Sequence, residues 1–307
     1  MISLSRSRGD RRTVERLLSE AGLPTEDLDG GVETFVAERD GEVVGCGGLE
    51  RRGTGVLVRS VAVAPEARGE GNGTAICRAL FGEAARGGAE ELFLLTTDAA
   101  GFFERLGFER VDRESVPKGI GETRQFASLC PESATCMHRG VDEIDRLRGD
   151  PGVLSHRERI DLDPAEFADV DQAVESGVDR WVGGLVRSSD GATLLVRNGW
   201  SDGWVIPGGK VETGESLREA VDREVREETG VSVGEPEPVA LVEQTFTDGE
   251  REVEGWFVVF AAEARSESLA VEPGIGDETI HEVRWFDQLP EELEHRSVIE
   301  RALPATL

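Results

Sequence analysis

Residues 223–230 read R-E-V-R-E-E-T-G. On a helix, Glu224, Glu227 and Glu228 stand at i, i+3 and i+4, so their carboxylates share one face. Like charges at that spacing repel, and a helix gains nothing by collecting them unless a cation offsets the repulsion. A hard divalent ion, Mg²⁺ or Mn²⁺, suits a set of carboxylate oxygens. Arg223 points off that face and is placed to pair with Glu215 at the start of the helix, bracing the preceding loop. That loop, W-V-I-P-G-G-K (204–210), is stiffened by Pro207, and Gly208 and Gly209 let its backbone approach a ligand or metal closely.

A second stretch with chemical potential is R-S-V-A-V-A-P-E-A-R-G-E-G-N-G-T-A (59–75), which reads as strand, turn, helix. Arg68, Gly69, Gly71, Asn72 and Gly73 make a turn of the form R-x-x-G-x-G. Glycines there allow successive N–H groups and the helix N-terminus to converge on a pyrophosphate. Many strand–helix turns are glycine-rich, so the turn gains meaning only from its surroundings.

Those surroundings are two patterned halves flanking a weaker middle. Val14, Leu17 and Leu18 lie on one face of a helix over 10–21. Two strands, 32–39 and 42–48, meet at Asp40-Gly41, a strong hairpin signal. A strand over 56–63 leads through the glycine turn to a helix over 73–86. A strand over 91–97, a short helix over 99–106 and strands near 108–112 and 124–129 complete this half. Residues 139–177 are charged and contain Pro151, Gly152 and Pro164. They read as a linker with one helix, 164–175, capped by Asp163. Beyond it a hairpin turns at Asp190-Gly191, and the glutamate helix covers 216–229. Strands at 238–247, 252–263 and 281–287 precede a closing helix over 290–303. The expected organisation is thus a domain over 1–138, the linker, and a domain over 178–307.

The chain carries 34 basic and 62 acidic residues, a formal net charge of −28. Of these, 39 acids but only 16 basic residues fall in 141–307. Such a surface repels nucleic-acid backbones and anionic membranes, so neither is expected as a partner. Only Lys118 and Lys210 are lysines. This arginine-over-lysine, acid-rich composition resembles the halophilic style, in which salt screens self-repulsion. The N-terminus lacks the apolar core of a signal peptide and no apolar run is long enough for a membrane span, so a cytoplasmic protein is expected. Cys46, Cys77, Cys130 and Cys136 then read as free thiols. The four histidines have no metal-ligand spacing.

The window G-K-V-E-T-G-E-S-L-R-E-A-V-D-R-E-V-R-E-E-T-G-V (209–231) resembles the signature of the Nudix hydrolases, G-x5-E-x7-R-E-U-x-E-E-x-G-U with U aliphatic. Gly209, Glu215, Arg223, Glu224, Val225, Glu227, Glu228, Gly230 and Val231 fill every specified position. The resemblance covers about 178–307 and implies an α/β/α sandwich that hydrolyses a nucleoside diphosphate linked to another group. It implies metal ligation by Glu224, Glu227, Glu228 and the Gly209 carbonyl, with a glutamate not fully committed to metal acting as base. Arg197 is a candidate phosphate contact or a surface strand arginine. Trp200 or Trp204 is a candidate base-stacking ring or a core tryptophan. With no tyrosine in the chain and Phe246-Thr247 at a position where some relatives carry proline, a nucleoside-triphosphate-like or modified-nucleotide substrate is expected.

Residues 5–138 resemble the GNAT acyltransferases, through the glycine turn, the order of elements and A-A-G-F-F-E-R-L-G-F (99–108). This resemblance implies acetyl-CoA, its pyrophosphate on the 68–73 backbone and its pantetheine along Val61 and Val63, attacked by an amine. The segment R-Q-F-A-S-L-C-P-E-S-A-T-C-M (124–137) resembles acetyltransferases of arsenic-resistance clusters, which implies a small amino-acid-like amine. Glu50 is a candidate base for that amine or an exposed strand-end carboxylate. Phe103 stands where many relatives have a tyrosine that protonates the departing thiolate. Two readings follow: a bifunctional acetyltransferase–hydrolase, or an active hydrolase joined to a non-catalytic acyl-CoA sensor.

Overall fold

The structure is a computed structural model that describes all residues except 1, 8–10, 30, 200, 202, 271–279 and 304–307. The chain divides into two compact units, Met1–Asp150 and Pro151–Leu307.

The first unit contains β1 (Ile2–Arg6), α1 (Arg11–Glu20), β2 (Val32–Arg39), β3 (Glu42–Arg52), β4 (Gly55–Val63), α2 (Asn72–Arg86), β5 (Glu91–Thr96), α3 (Ala100–Glu104), β6 (Glu109–Arg110), α4 (Lys118–Gly121), β7 (Thr135–Gly140) and α5 (Glu143–Gly149). Its seven strands form one sheet in the order β1-β2-β3-β4-β5-β7-β6. The β4–β5 pairing is parallel; the others are antiparallel. The apolar face of α1, Val14, Leu17 and Leu18, packs into a core with Phe35, Leu49, Ile76, Leu80 and Leu92. Burying one such side chain is worth about 1.5–3 kcal/mol, so these faces fix where both helices lie on the sheet.

The second unit contains β8 (Leu154–Asp161), α6 (Pro164–Glu175), β9 (Arg180–Arg187), β10 (Thr193–Asn198), β11 (Gly208–Lys210), α7 (Leu217–Thr229), β12 (Glu237–Thr247), β13 (Glu252–Glu263), β14 (Ile280–Phe286) and α8 (Arg296–Ala302). Its strands run β14-β10-β9-β13-β12-β8, and β11 pairs with β9 off this path. The pairs β8–β12 and β9–β13 are parallel, so the sheet is mixed. Along β9 the side chains alternate. A Cβ on Gly184 would lie 2.6 Å from Val225 of α7, whereas one on Gly183 would meet Ile206 and Phe257 on the opposite side. Helix α7 therefore packs on one face of this sheet. Helix α8 packs on the other, where Leu185, Val242, Val259, Val298 and Ile299 form a second core.

Residues 139–177, expected as a linker, are folded into both units. Residues 139–140 end β7, and α5 packs against α2 in the first unit. β8 extends the second sheet, and α6 packs over β12 and β13. The charges that suggested a solvated tether are cross-strand partners: Arg157 donates to Glu243 at 2.9 Å and Arg159 to Glu252 at 2.7 Å. The helix over 164–175 forms as expected, with Asp163 accepting from the Ala165 and Glu166 amides.

Other differences are local. The strand expected over 124–129 is a π-helical turn at Gln125–Leu129, and the strand lies later, in β7. Thr123 Oγ1 accepts from the Phe126 amide and Pro131 follows, so the local bonds close a turn instead of a ladder. The closing helix is shorter than 290–303, spanning only α8. Among the described residues no helix is long and apolar enough to cross a membrane.

Candidate functional site

Helix α7 starts cleanly because Ser216 and Glu219 form a capping box, and it stops at Gly230, whose φ of 75° is left-handed. Leu217, Ala220, Val221 and Val225 are buried against the sheet. The same packing sinks Glu224 and Glu228 to 4% and 3% exposure, whereas the Glu227 side chain keeps 36%. Burying two carboxylates costs several kcal/mol unless they are matched by opposite charge or hydrogen bonds.

The matching is visible. Arg223 Nε and Nη2 each donate to Glu215 at 2.9 Å, a bidentate pair. The same guanidinium reaches further than the sequence suggests: Nη1 donates to Glu224 at 2.7 Å and to Glu227 at 3.3 Å, and Nη2 to the Lys210 carbonyl at 3.0 Å. Arg223 does not stand apart from the acidic face; it bridges the loop to that face. Its bond to Glu215 holds the Glu215 carboxyl below the usual carboxylate range. Glu228 accepts from the Gly208 amide at 2.8 Å. Gly209 lies against the Glu224 carboxylate, and a Cβ there would be 2.6 Å from the carboxyl carbon. Pro207, Gly208 and Gly209 thus bring bare backbone to the acidic cluster, as the sequence indicates.

One guanidinium stands among the carboxylates of Glu215, Glu224, Glu227 and Glu228. Among the described residues no group of three or more acidic, histidine or cysteine side chains is gathered tightly enough to enclose a metal ion. The donor types fit a hard divalent cation: carboxylate oxygens with backbone carbonyl at their edge, and Glu227 open to solvent.

Arg197 and Trp204 fall elsewhere. Arg197 donates to Glu292 at 2.8 Å and lies over the Trp204 ring, 5.3 Å from its centroid. Trp204 is 7% exposed, packs edge-on to Phe286 and belongs to the second core, so its ring is not free to stack on a base. Trp200 lies outside the described residues.

On the face of the sheet opposite α7 lies a cavity of about 770 Å³. Trp181, Ile206, Phe246 and Phe257 make its apolar wall, residues of α6 line it, and Gly208–Lys210 reach it at one end. Gln244 and His295 also line it, and Glu158 links them: its carboxylate accepts from Gln244 Nε2 at 2.7 Å and lies 3.2 Å from His295 Nδ1. The sequence offers no signal for this group, because its members meet only through the register of β8 with β12 and the placement of the turn before α8.

In the first unit, β4 pairs with β5 only over Gly55–Leu57, and beyond Leu57 the ladder between them ends. A register shift against β3 and a φ of 55° at Ser60 mark a bulge there. Val61 and Val63 follow, both half-buried. Arg68, Gly69 and Gly71 are exposed, and Gly69 and Gly71 have φ of 83° and 71°. No side chain caps α2, so its first-turn N–H groups are available to an anion. Asn72 is buried, its Nδ2 donating to the Ala67 carbonyl at 2.8 Å, which braces the turn from within. Gly73 sits in the first turn of α2, 3.5 Å from Phe102 at its would-be Cβ.

Glu50 is 3% exposed and bonds to Arg59 at 3.1 Å and to Arg52. Arg59 in turn is held by Asp27 at 2.5 Å. A buried carboxylate bonded to the buried Arg59 and to Arg52 at the surface is part of a structural ion-pair network, not an exposed strand-end group. Phe103 is buried against Phe102 and Phe108. The four cysteines are free; burial pushes the Cys46 and Cys77 thiols up to about 12 and Cys136 up to about 11.

These features define a protein of two mixed α/β domains, one with a splayed strand pair and glycine turn, the other with a braced glutamate helix. The NUDIX domain family model matches residues 179–303, and the acetyltransferase (GNAT) domain model matches residues 30–110. The chain is 36% identical over 109 residues to the uncharacterized Nudix hydrolase YvcI of Bacillus subtilis, covering 34% of this chain and 67% of that protein. It is 30% identical over 115 residues to an uncharacterized N-acetyltransferase of Chlorobaculum tepidum, covering 37% of this chain and 68% of that protein. Among solved structures, N-acetylglutamate synthase from Neisseria gonorrhoeae, complexed with coenzyme A and N-acetyl-glutamate, aligns with 47% of this chain and 36% of its own, at 20% identity and a TM-score of 0.41. The chain belongs to the GNAT acetyltransferases through its first unit and to the Nudix hydrolases through its second.

Proposed function

We propose that the second unit hydrolyses a nucleoside di- or triphosphate derivative with the help of Mg²⁺ or Mn²⁺, and that the first unit transfers acetyl from acetyl-CoA to a small amine. The observation that carries the hydrolase reading is the division of labour on α7. Arg223 secures Glu215 and Glu224, Glu228 fixes the Gly208 amide, and Glu227 alone remains half-exposed. Glu224, Glu227, Glu228 and the Gly209 carbonyl would hold the metal. A bound divalent ion neutralises pyrophosphate oxygens and lowers the pKa of an attacking water. Glu227, held only by one long bond to Arg223, would be the glutamate not fully committed to the metal, and would accept the proton as the water oxygen bonds to phosphorus and the bridging P–O bond breaks. Glu215 and Arg223 position the loop and take no part in proton transfer.

In the first unit the α2 N-terminus and the backbone of Arg68, Gly69, Gly71, Asn72 and Gly73 would receive the coenzyme A pyrophosphate. Val61 and Val63, past the point where β4 leaves β5, would flank the pantetheine. The amine nitrogen bonds to the thioester carbonyl carbon, the C–S bond breaks, coenzyme A leaves as thiolate, and the proton lost by the amine nitrogen passes to water. Phe103 offers that thiolate no proton, but a thiol of pKa about 8.5 leaves without one. The absence of a hydroxyl at this buried position also favours a second reading, an acyl-CoA-binding sensor without turnover.

The test is a screen of the full-length chain against a nucleotide panel for phosphate or pyrophosphate release, and against an amine panel for coenzyme A release, at low and high salt. Divalent-dependent release that Glu227→Gln removes supports the hydrolase. Tight acetyl-CoA binding with no release for any amine supports the sensor reading of the first unit.

A further inference from the structure

The cavity on the face opposite α7 has an apolar wall of Trp181, Ile206, Phe246 and Phe257, and next to that wall stands a hydrogen-bonded trio of polar side chains. Gln244 is 6% exposed, and the Glu158 and His295 side chains are 20% and 24% exposed. Buried to this degree, such a polar trio costs stability unless its hydrogen-bonding capacity is used. Glu158 and Gln244 are direct register partners on neighbouring strands. His295 is brought to them by a backbone φ of 51°, a left-handed conformation that a non-glycine residue adopts at a cost. Its ring also stacks near Phe257, 5.3 Å between centroids. Glu158 uses the Gln244 amide nitrogen and His295 Nδ1. Gln244 Oε1 and His295 Nε2 are therefore the polar atoms that the trio can offer a ligand.

The position of the trio matches a ligand that also reaches the glutamate helix. Gly208 and Lys210 line the cavity, while Gly209 between them touches Glu224. One molecule can thus lie in the cavity with its end at β11. The volume suits a nucleoside-sized group, since small-molecule sites are commonly about 300–1,000 Å³. Trp181 and Phe257 offer flat apolar surface of the kind a planar ring covers. The covering elements, β8 and α6, lie before residue 179, outside the stretch matched by the Nudix family model.

We infer that Gln244 and His295, locked together through Glu158, read the edge of a planar heterocycle in the nucleotide substrate, with α6 covering that ring. This rests on the hydrolase reading for the identity of the ligand, but it concerns recognition, not the reaction. β8 and α6 are then parts of the hydrolase site contributed by the segment between the two matched domains.

Calorimetric titration of the full-length chain, in the presence of Mg²⁺, with AMP, GMP, CMP, UMP and separately inorganic pyrophosphate tests this. None of the monophosphates contains a pyrophosphate link, so binding is read without turnover. At least one should bind the wild type. Gln244→Leu should weaken it about tenfold, the loss of one or two hydrogen bonds. Ala173→Trp, which fills the cavity from α6, should abolish it, and pyrophosphate should bind both variants as it binds the wild type. Monophosphate binding unchanged in both variants, or absent from the wild type, overturns the inference; if Ala173→Trp does not fold, Gln244→Leu decides alone. Loss of monophosphate binding in these variants, with no divalent-dependent hydrolysis of any nucleotide by the wild type, would sink the hydrolase reading and leave the recognition site standing. Loss of hydrolysis in Glu227→Gln with monophosphate binding unaffected by either cavity variant would do the reverse.

Discussion

Arg223 grips Glu215 through two parallel N–H···O bonds, each 2.9 Å, and holds Glu224 with a third at 2.7 Å. A planar fork is required for this arrangement, and a lysine ammonium cannot reproduce it. Arg223→Lys should keep the charge but lose the fork, lowering stability by about 1–3 kcal/mol and hydrolysis more than tenfold. Arg223→Ala should be worse, because Glu224 would remain buried with its countercharge gone. Urea unfolding of the two variants beside the wild type checks the order, and equal midpoints for all three would contradict it.

The glutamates of α7 should separate by environment. Glu227 is half-exposed and its one bond to Arg223 is long, so Glu227→Gln should leave the unfolding free energy within about 0.5 kcal/mol of wild type while removing hydrolysis. Glu228→Gln should affect both properties, since Glu228 anchors the Gly208 amide from a buried position. Its cost in stability should be about 1–3 kcal/mol. Paired measurements of turnover and thermal midpoint distinguish the two; a Glu227→Gln enzyme that still releases phosphate in a divalent-dependent manner would remove Glu227 from its assigned role.

The acidic helix is legible in the sequence because its features conflict with stability: three carboxylates on one face call for a reason, and spacing alone supplies it. The glycine turn of the first unit is legible because strand, turn and helix follow one another within 59–75. What escapes is set by distant pairing. β8 reads L-S-H-R-E-R-I-D, charged enough to pass for a tether, and its arginines hydrogen-bond to acidic partners 86 and 93 residues away. Glu50 looks like an exposed strand end until Arg59 and Arg52 close on it. Trp204 sits next to a glycine-rich loop in sequence, yet packs on Phe286 from another strand. Local pattern shows which residues are chemically strained; register shows which ones meet.

In the first unit Gly71 carries a left-handed φ of 71° immediately before α2, with nothing within 4 Å of where a Cβ would stand. Gly71→Ala therefore meets no protein atom, and its backbone strain is on the order of 1 kcal/mol. A methyl group there would intrude on any anion seated at the open N–H groups. Acetyl-CoA affinity should fall at least tenfold with only a slight drop in thermal midpoint. Equal acetyl-CoA affinity by titration calorimetry would exclude this turn as the pyrophosphate seat.

The Glu158–His295 pair should give stability its own pH signature. Burial alone pushes the Glu158 carboxyl up and the His295 imidazole down, yet the bond and charge between them reverse both: Glu158 is held below 4.5 and His295 above 6.5. A raised histidine value contributes stability that is complete below the unfolded value near 6.5 and disappears as pH rises through the folded one. A lowered glutamate value contributes stability that is complete above 4.5 and disappears as pH falls through the folded one. Both contributions are present together between those limits. His156 and Glu294 also act on the pair, from β8 and from the turn before α8. Urea unfolding of wild type and His295→Asn should therefore differ most at about pH 5–6, by on the order of 1 kcal/mol, and converge above about pH 8. A difference that stays flat from pH 5 to pH 8 would show that His295 is held there by packing against Phe257 and not by charge.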